Sequence, residues 1–402
     1  MRSRSKSIVT EAQVQAYAET WLSENLSLED AGWKCKAQVV WRILLLAAAR
    51  VTSICAACRD LAGAPSDDAV GDALDGWLPK RTQTLEAWFA PVLAGQWLPK
   101  ALFRKGRVVA IDWHVIPSHG EPQRWSNELR HGPPKSGTTK SHTYATACIV
   151  HKGFRYTLAV ASVKKNASLV EVTERLLDRL AAVGINVKTL LLDKQFCTSP
   201  VMAALQARQI PYLMPLVVRG RKAKRRKAKK AGRKRAVTLR DFHHQPAGRY
   251  RFTWTGPQKG RATVTFDVVV AYKSYRHHKT GRRRSKKLLF AAWRVRGTPV
   301  EIRELYRKRF GIESSYRQLG QARIRTSTRS PVERLLFVLI AFVLRNLWVW
   351  LHWRYFAEGR GDDLVLHLER LRFRRMLNWI AHIITQSLHD GTAYCTQLKP
   401  LK

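Results

Sequence analysis

Two short apolar runs each end in a lone carboxylate: Arg107-Val108-Val109-Ala110-Ile111-Asp112 and Val187-Lys188-Thr189-Leu190-Leu191-Leu192-Asp193. Runs of this length, rich in Val, Ile and Leu and with no helical period, read as buried strands. Each is expected to carry its acid to a strand end. The chain is thereby constrained to a covered sheet with two charges standing at its edge.

The neighbouring segments fill in the order. A long loop containing Gly, Pro and Ser follows the first acid to about His142. Residues 143–150 and 154–163 form a hairpin around Lys152-Gly153. Residues 168–183 have helical spacing, 199–208 form a second helix, and 212–218 a further strand. The sequence is three strands, helix, strand, helix, strand. That is the order expected of an α/β ribonuclease H-like core, a mixed sheet with flanking helices, with acids at the ends of its first and fourth strands.

The flanks read differently. Residues 1–104 are expected to be a helical N-terminal domain, best defined over 11–25 and 33–61, that either reads DNA or only packs. The first part of the core spans 105–218. Residues 219–286 read as a basic, β-rich insertion, with strands over 250–254, 262–272 and 287–293 and turns at Gly256-Pro257 and Gly281. The core resumes over 287–357 with a helix over 299–319, and a helical tail occupies 358–402.

Charge points to the partner. The chain of 402 residues carries 72 Lys and Arg against 29 Asp and Glu, a net +43. At 45% hydrophobic residues it can still bury a core. An excess this large implies a polyanion, and nucleic acid is the natural one. Twelve of the seventeen residues in 219–235 are basic, so most of the excess lies outside that run. The run itself suits phosphate tracking without sequence readout. Six scattered cysteines fit a reducing compartment, and Cys55-x2-Cys58 stands without a second pair at zinc spacing. No apolar signal core follows the N-terminus. The apolar stretch 335–344 is interrupted by Arg345 and Asn346, well short of the ~20 residues of a spanning helix, and reads as buried. No membrane partner is expected; the expected location is the cytoplasm, on the nucleoid.

A third acid, Glu313, lies in the helix over 299–319. At ~100° per residue, Tyr306, Arg309, Glu313 and Arg317 share an arc of roughly 80°. Leu305, Ile312, Tyr316 and Leu319 form the neighbouring apolar stripe. A single strand-end acid is ordinarily a solvated cap, and such a helix alone is ordinarily a surface helix with ion pairs. Together, Asp112, Asp193 and Glu313 suit two Mg²⁺ or Mn²⁺ ions acting on phosphate. Arginines on the same face suit the phosphate itself. His114, His119, His131 and His142 surround the long loop, and loop histidines in a basic protein ordinarily face solvent or DNA.

Tyr306-x2-Arg309-x3-Glu313 resembles the Y-R-E signature of insertion-sequence transposases of family four and their archaeal relatives. Ile111-Asp112-Trp113-His114-Val115-Ile116-Pro117 resembles the family's first-Asp strand, and Leu191-Leu192-Asp193-Lys194-Gln195-Phe196 its second-Asp region, over about residues 107–345. The resemblance implies a DDE transposase that hydrolyses phosphodiester bonds at transposon ends and transfers the strand to target DNA, commonly through a hairpin. It implies Asp112, Asp193 and Glu313 as ligands of two metal ions, and Tyr306 and Arg309 as phosphate contacts. The family lysine seven positions after the glutamate falls on Gly320, with Arg317, Gln321 or Arg323 as substitutes. Lys194 counts among the DNA contacts. Trp254 and Trp293 are candidates for holding a flipped base, against the plainer reading that they pack in the core. Terminal inverted repeats and target DNA are the implied partners of a dimer or larger assembly. Two alternatives remain: a ribonuclease H-fold nuclease or resolvase that never joins strands, and a transposase-derived DNA binder without catalysis.

Overall fold

Apolar side chains on both faces of Arg107–Pro117 (β1) and Val187–Leu192 (β5) drive these two strands together as a buried parallel pair. The computed structural model describes residues 8–94, 105–120, 127–151, 154–217, 238–256, 262–278, 280–358 and 365–387, apart from 25, 27 and 34. All of the basic run 219–235 therefore lies outside the described residues.

Among the described residues the sheet has nine strands, in the order β2-β3-β1-β5-β6-β9-β8-β7. Here β2 is Arg130–Lys135, β3 Thr138–His151, β6 Tyr212–Pro215, β7 Gly248–Thr255, β8 Thr263–Arg276 and β9 Arg283–Trp293. β4 (Phe154–Ser162) shares the outer edge of β3 with β2. β1, β5 and β6 are parallel; the remaining pairings are antiparallel. The strands expected in the insertion extend the central sheet. β9 returns to it by pairing Trp293 with Tyr212.

Two expectations need correction. β1 runs on to Pro117, so Asp112 lies mid-strand and not at a strand end. The parallel partner does stop there: Ile111 pairs with Leu192, the last residue of β5. The segment read as a loop to His142 also holds β2 and the start of β3, because pairing overrides the Gly-Pro-Pro of Arg130–Lys135 at a sheet edge.

Helices cover both faces. On one face lie the N-terminal helices, which begin with Glu11–Ser23 (α1) and Ala37–Arg50 (α2). They continue as Ile54–Arg59 (α3), Asp67–Trp77 (α4) and Thr82–Ala94 (α5), and pack in one large core with Leu169–Ala182 (α6) and Ser199–Ala207 (α7). Pro331–Leu351 (α10) and Phe373–Ser387 (α11) share that core, and α11 packs on α1 and α2. The helical segments at the two ends of the chain thus form one body. On the other face a smaller core joins Ala110, Leu191, Leu213 and Phe290 to Ile302, Tyr306 and Ile312. These last come from Pro299–Arg307 (α8) and Gly311–Leu319 (α9).

α10 is long and apolar enough to cross a membrane, yet it is buried along its length inside the protein. Its two buried polar residues, Arg345 and Asn346, have structural work. Asn346 accepts from the Thr157 N–H at 3.0 Å and donates to the Thr157 carbonyl at 2.6 Å, satisfying the β4 backbone on its outer side. Arg345 donates to the Arg155 carbonyl at 2.6 Å and the Ser315 hydroxyl at 2.8 Å. Replacing Asn346 by Leu leaves a buried N–H and C=O unpaired, so we expect a loss of about 2–5 kcal/mol. Chemical denaturation checks this, and a loss below about 1 kcal/mol would mean that water reaches β4.

Candidate active site

Strand alternation places the acids. Ala110 and Leu191 point into the smaller core, so Asp112 and Asp193, two residues on, point the same way, towards α8 and α9. The Ile111–Leu192 pairing sets the two acids side by side. After Asp193 the chain turns away through a 3₁₀ turn, Lys194–Phe196, and leaves the β1 edge beyond Asp112 uncovered. A cleft of about 410 Å³ opens there, lined by Trp113, Arg130, Lys135, Lys140 and Gln195 among others.

One guanidinium joins the acids. Arg309 Nη1 lies 2.6 Å from Asp112 Oδ2, and Nη2 lies 3.6 Å from Asp193 Oδ1. Arg309 Nε donates to the Tyr306 hydroxyl at 3.0 Å, and that hydroxyl donates to the Leu192 carbonyl at 3.2 Å. Asp112 also accepts from the Trp113 N–H at 2.9 Å. Burial works against the Arg309 charge, but Asp112, Tyr306 and Asp193 outweigh it and raise its pKa. Burial also pushes the Asp112 carboxyl up, from its ordinary 3.8 to about 6. Arg309 and the Trp113 N–H offset this in part, while the charges of Asp193 and Glu313 add to it. Burial raises the Tyr306 phenol as well. Trp113 stacks on Phe196 at 5.1 Å, with the Arg130 guanidinium over its ring at 5.1 Å.

The helix expected over 299–319 is broken. Residues Lys308–Phe310 form a 3₁₀ turn, which advances ~120° per residue and rotates the C-terminal half of the segment by about 60°. Tyr306 and Arg309 therefore turn inward, while Glu313 and Arg317 are exposed. Arg155 of β4 fixes the break by donating to the Lys308 carbonyl. It leaves no room at Gly311, where a Cβ would lie 2.5 Å from its Nη2. Among the described residues no group of three or more His, Cys, Asp or Glu is arranged to hold a metal ion. The trio expected from the sequence is thus a converged pair, Asp112 and Asp193, with Glu313 exposed on α9 but near enough for its charge to act on Asp112. The donors still fit Mg²⁺ or Mn²⁺. Both aspartates reach one small cationic group, and carboxylate oxygens are the hard ligands these ions prefer.

The other expected residues separate. Lys194 is exposed beside Asp193. Arg323 lines a second cleft of about 550 Å³, beyond Ile116 and Pro117 of β1, together with Arg325, Arg329 and Arg334. Trp293, half-buried, stacks on Tyr212 at 6.1 Å, and the half-buried Trp254 packs against the large core. His114 is half-buried against Tyr316, and desolvation, with the charges of Lys135 and Arg323, lowers its pKa to about 3, so it is neutral. Arg130, Lys135 and Arg155 were not singled out by sequence. The first two lie on a strand read as a loop, and Arg155 carried no motif.

The family profile described as Transposase DDE domain matches residues 103–347, more than half of the chain. The chain belongs to the DDE transposases. No curated protein matches it. Among solved structures it is similar to the cryo-EM structure of a piggyBac transposase synaptic complex with hairpin DNA. The TM-score is 0.51 at 12% identity, covering 97% of this chain and 84% of that one. At that identity the likeness concerns the fold, a mixed sheet flanked by helices. Within this DDE transposase, the profile spans both aspartates, Arg309 and Glu313.

The raised Asp112 pKa has a sign that stability measurements read. A carboxyl whose pKa rises on folding favours the folded state while protonated. That contribution is complete below about pH 4 and is lost as the pH climbs through about 6. The rise corresponds to about 3 kcal/mol. Asp112→Asn should therefore be more stable than the parent at pH 7 without divalent cations, with the difference closing by pH 4. Denaturation midpoints across that range test it; a variant less stable at pH 7 would show that the Arg309 pair outweighs burial.

Proposed function

We propose that this transposase hydrolyses phosphodiester bonds at transposon ends and transfers the freed strand into target DNA, working on the nucleoid as a dimer or larger assembly. The observation that carries the reading is the convergence of Asp112 and Asp193 on Arg309, beside an open strand edge lined with cations. The core is read as ribonuclease H-like: the order β4-β3-β1-β5-β6, with β1, β5 and β6 parallel, supports it. The Tyr306–Arg309–Glu313 spacing supports membership of the Y-R-E group.

In this reading Asp112, Asp193 and Glu313 would hold two Mg²⁺ or Mn²⁺ ions, which would supply activation of the attacking oxygen and stabilisation of the leaving one. Arg309 and Tyr306 orient a phosphate, the guanidinium by its planar fork. Arg323 takes the part of the lysine missing at Gly320, in keeping with its place in the cleft beyond β1. Hydrolysis adds water across the P–O bond and frees a 3′-hydroxyl. That hydroxyl then displaces an alkoxide from a second phosphodiester, so bonds made equal bonds broken. A hairpin intermediate would be one use of the same exchange within the element end.

A nuclease that cuts without joining shares this geometry, and a DNA binder without catalysis shares the charge. The test is cleavage and joining of DNA that carries the element end, by the parent and by Asp112→Ala, Asp193→Ala and Glu313→Ala. We expect metal-dependent cuts and joined product in the parent, and at least about 100-fold loss in each variant, about 2.7 kcal/mol of barrier. DNA binding should be retained. Cuts without joined product would favour the nuclease; tight binding with no cut in any protein would favour the binder.

A further inference from the structure

Strands β8 and β9 stay paired well beyond the sheet they belong to. Their last five pairs run from Tyr272–Lys287 to Arg276–Arg283, and β7 and β6 no longer flank them there. The hairpin closes with the His277 N–H donating to Arg282 at 2.9 Å and Gly281 at φ +64°. Every described residue of the two strands beyond Ala271 and Leu288 is exposed except the half-buried Lys287. Tyr272 and Tyr275 are 38% and 40% exposed. Eight of the sixteen residues 272–287 are Lys or Arg, and the sequence has no acid between Asp267 and Glu301. Among the described residues Lys273, Arg276, Arg283, Arg284 and Lys286 pair with no carboxylate.

The ribbon is firmly rooted. Arg303 of α8 donates to the Tyr272 carbonyl, and Lys287 donates to the carbonyls of His243 at 2.9 Å and Gln245 at 2.7 Å. Arg303 lies one helical turn before Tyr306, so the base of the ribbon and Tyr306, which holds the Arg309 guanidinium, share one short helix.

We propose that this ribbon is a duplex-DNA-binding arm that docks in the major groove. The proposal rests on the reading of the chain as an enzyme acting on DNA. Five antiparallel pairs extend about 17 Å, and the major groove, about 12 Å wide and 8.5 Å deep, admits a two-stranded ribbon. The plain alternative is that the charges only keep an open edge from pairing with another chain. That purpose needs a charge or two of either sign; the ribbon carries one sign throughout, with exposed tyrosines between.

The experiment measures binding of the full-length protein to a 30-base-pair duplex of arbitrary sequence, in EDTA, across a KCl series. For Lys273→Ala/Arg284→Ala/Lys286→Ala we expect the slope of log affinity against log salt to become shallower by about 2–3, near 0.9 for each phosphate no longer neutralised. Arg276→Ala/Arg283→Ala, a second variant at the tip, should lower it by about 1–2. Lys273→Arg/Arg284→Lys/Lys286→Arg should keep the parent slope. On an A-form RNA duplex, whose deep, narrow major groove excludes a ribbon, parent and alanine variants should agree. A parent that binds DNA with the same slope as both folded alanine variants overturns the arm, as does aggregation of those variants with DNA binding unchanged. An equal fall on RNA overturns the groove docking. A parent that binds no duplex overturns the DNA-acting reading itself.

Discussion

The Arg309 guanidinium between Asp112 and Asp193 is the contact on which the arrangement of the site depends. Two carboxylates on adjacent strands of a covered sheet repel one another and lose hydration together. Burial alone lifts Asp112 well out of the ordinary carboxylate range. A cation reaching both relieves the repulsion, and Arg309 can reach both because the 3₁₀ turn at Lys308–Phe310 swings it inward. Removing the Arg309 charge would leave both carboxylates uncompensated, so the pair depends on this one cation. Tyr306 completes the set by tying the same guanidinium to the last carbonyl of β5.

That turn is in its own right a long-range product. Gly311 permits the break and a distant residue holds it: Arg155, on the far strand β4, grips the Lys308 carbonyl and fills the space beside Gly311. Arg155 in turn offers its carbonyl to the buried Arg345 of α10. The segment bearing Tyr306, Arg309 and Glu313 is therefore positioned from the sheet edge and the central helix, not by its own propensity.

Much of this is legible in the chain. The strands β1 and β3 to β6, the two aspartates and the inward α10 come from apolar runs and the polar interruption at Arg345-Asn346, all local signals. The Tyr306–Arg309 pairing is anticipated in position but not in partner. The missing parts are non-local. An apolar run on both faces hides which face an acid will take, so the shared face of Asp112 and Asp193 emerges only once the sheet is covered. The extension of β1 to Pro117 and the strand at Arg130–Lys135 depend on pairing that overrides Pro and Gly. The exposure of Glu313 depends on the broken helix, which assumed regular geometry could not foresee.

Scarcity of carboxylates gives the site its electrical character. With 72 basic residues and 29 acids, a buried acid has cations to spare. Glu86 is shared by Arg175 and Arg179, at 3.6 and 3.3 Å. Glu128 is shared by Arg334 and the His142 ring. Between Asp112 and Asp193 the ratio inverts: one cation serves two acids, with Glu313 adding a third negative charge nearby. A locally negative point inside a strongly positive protein separates two attractions. The surface and its β-ribbon draw a polyanion, while a recess where acids outnumber cations favours a small cation. Both lie along β1: the acids face α8 and α9, and the cation-lined cleft begins at the next residue, Trp113, on the opposite face of the strand.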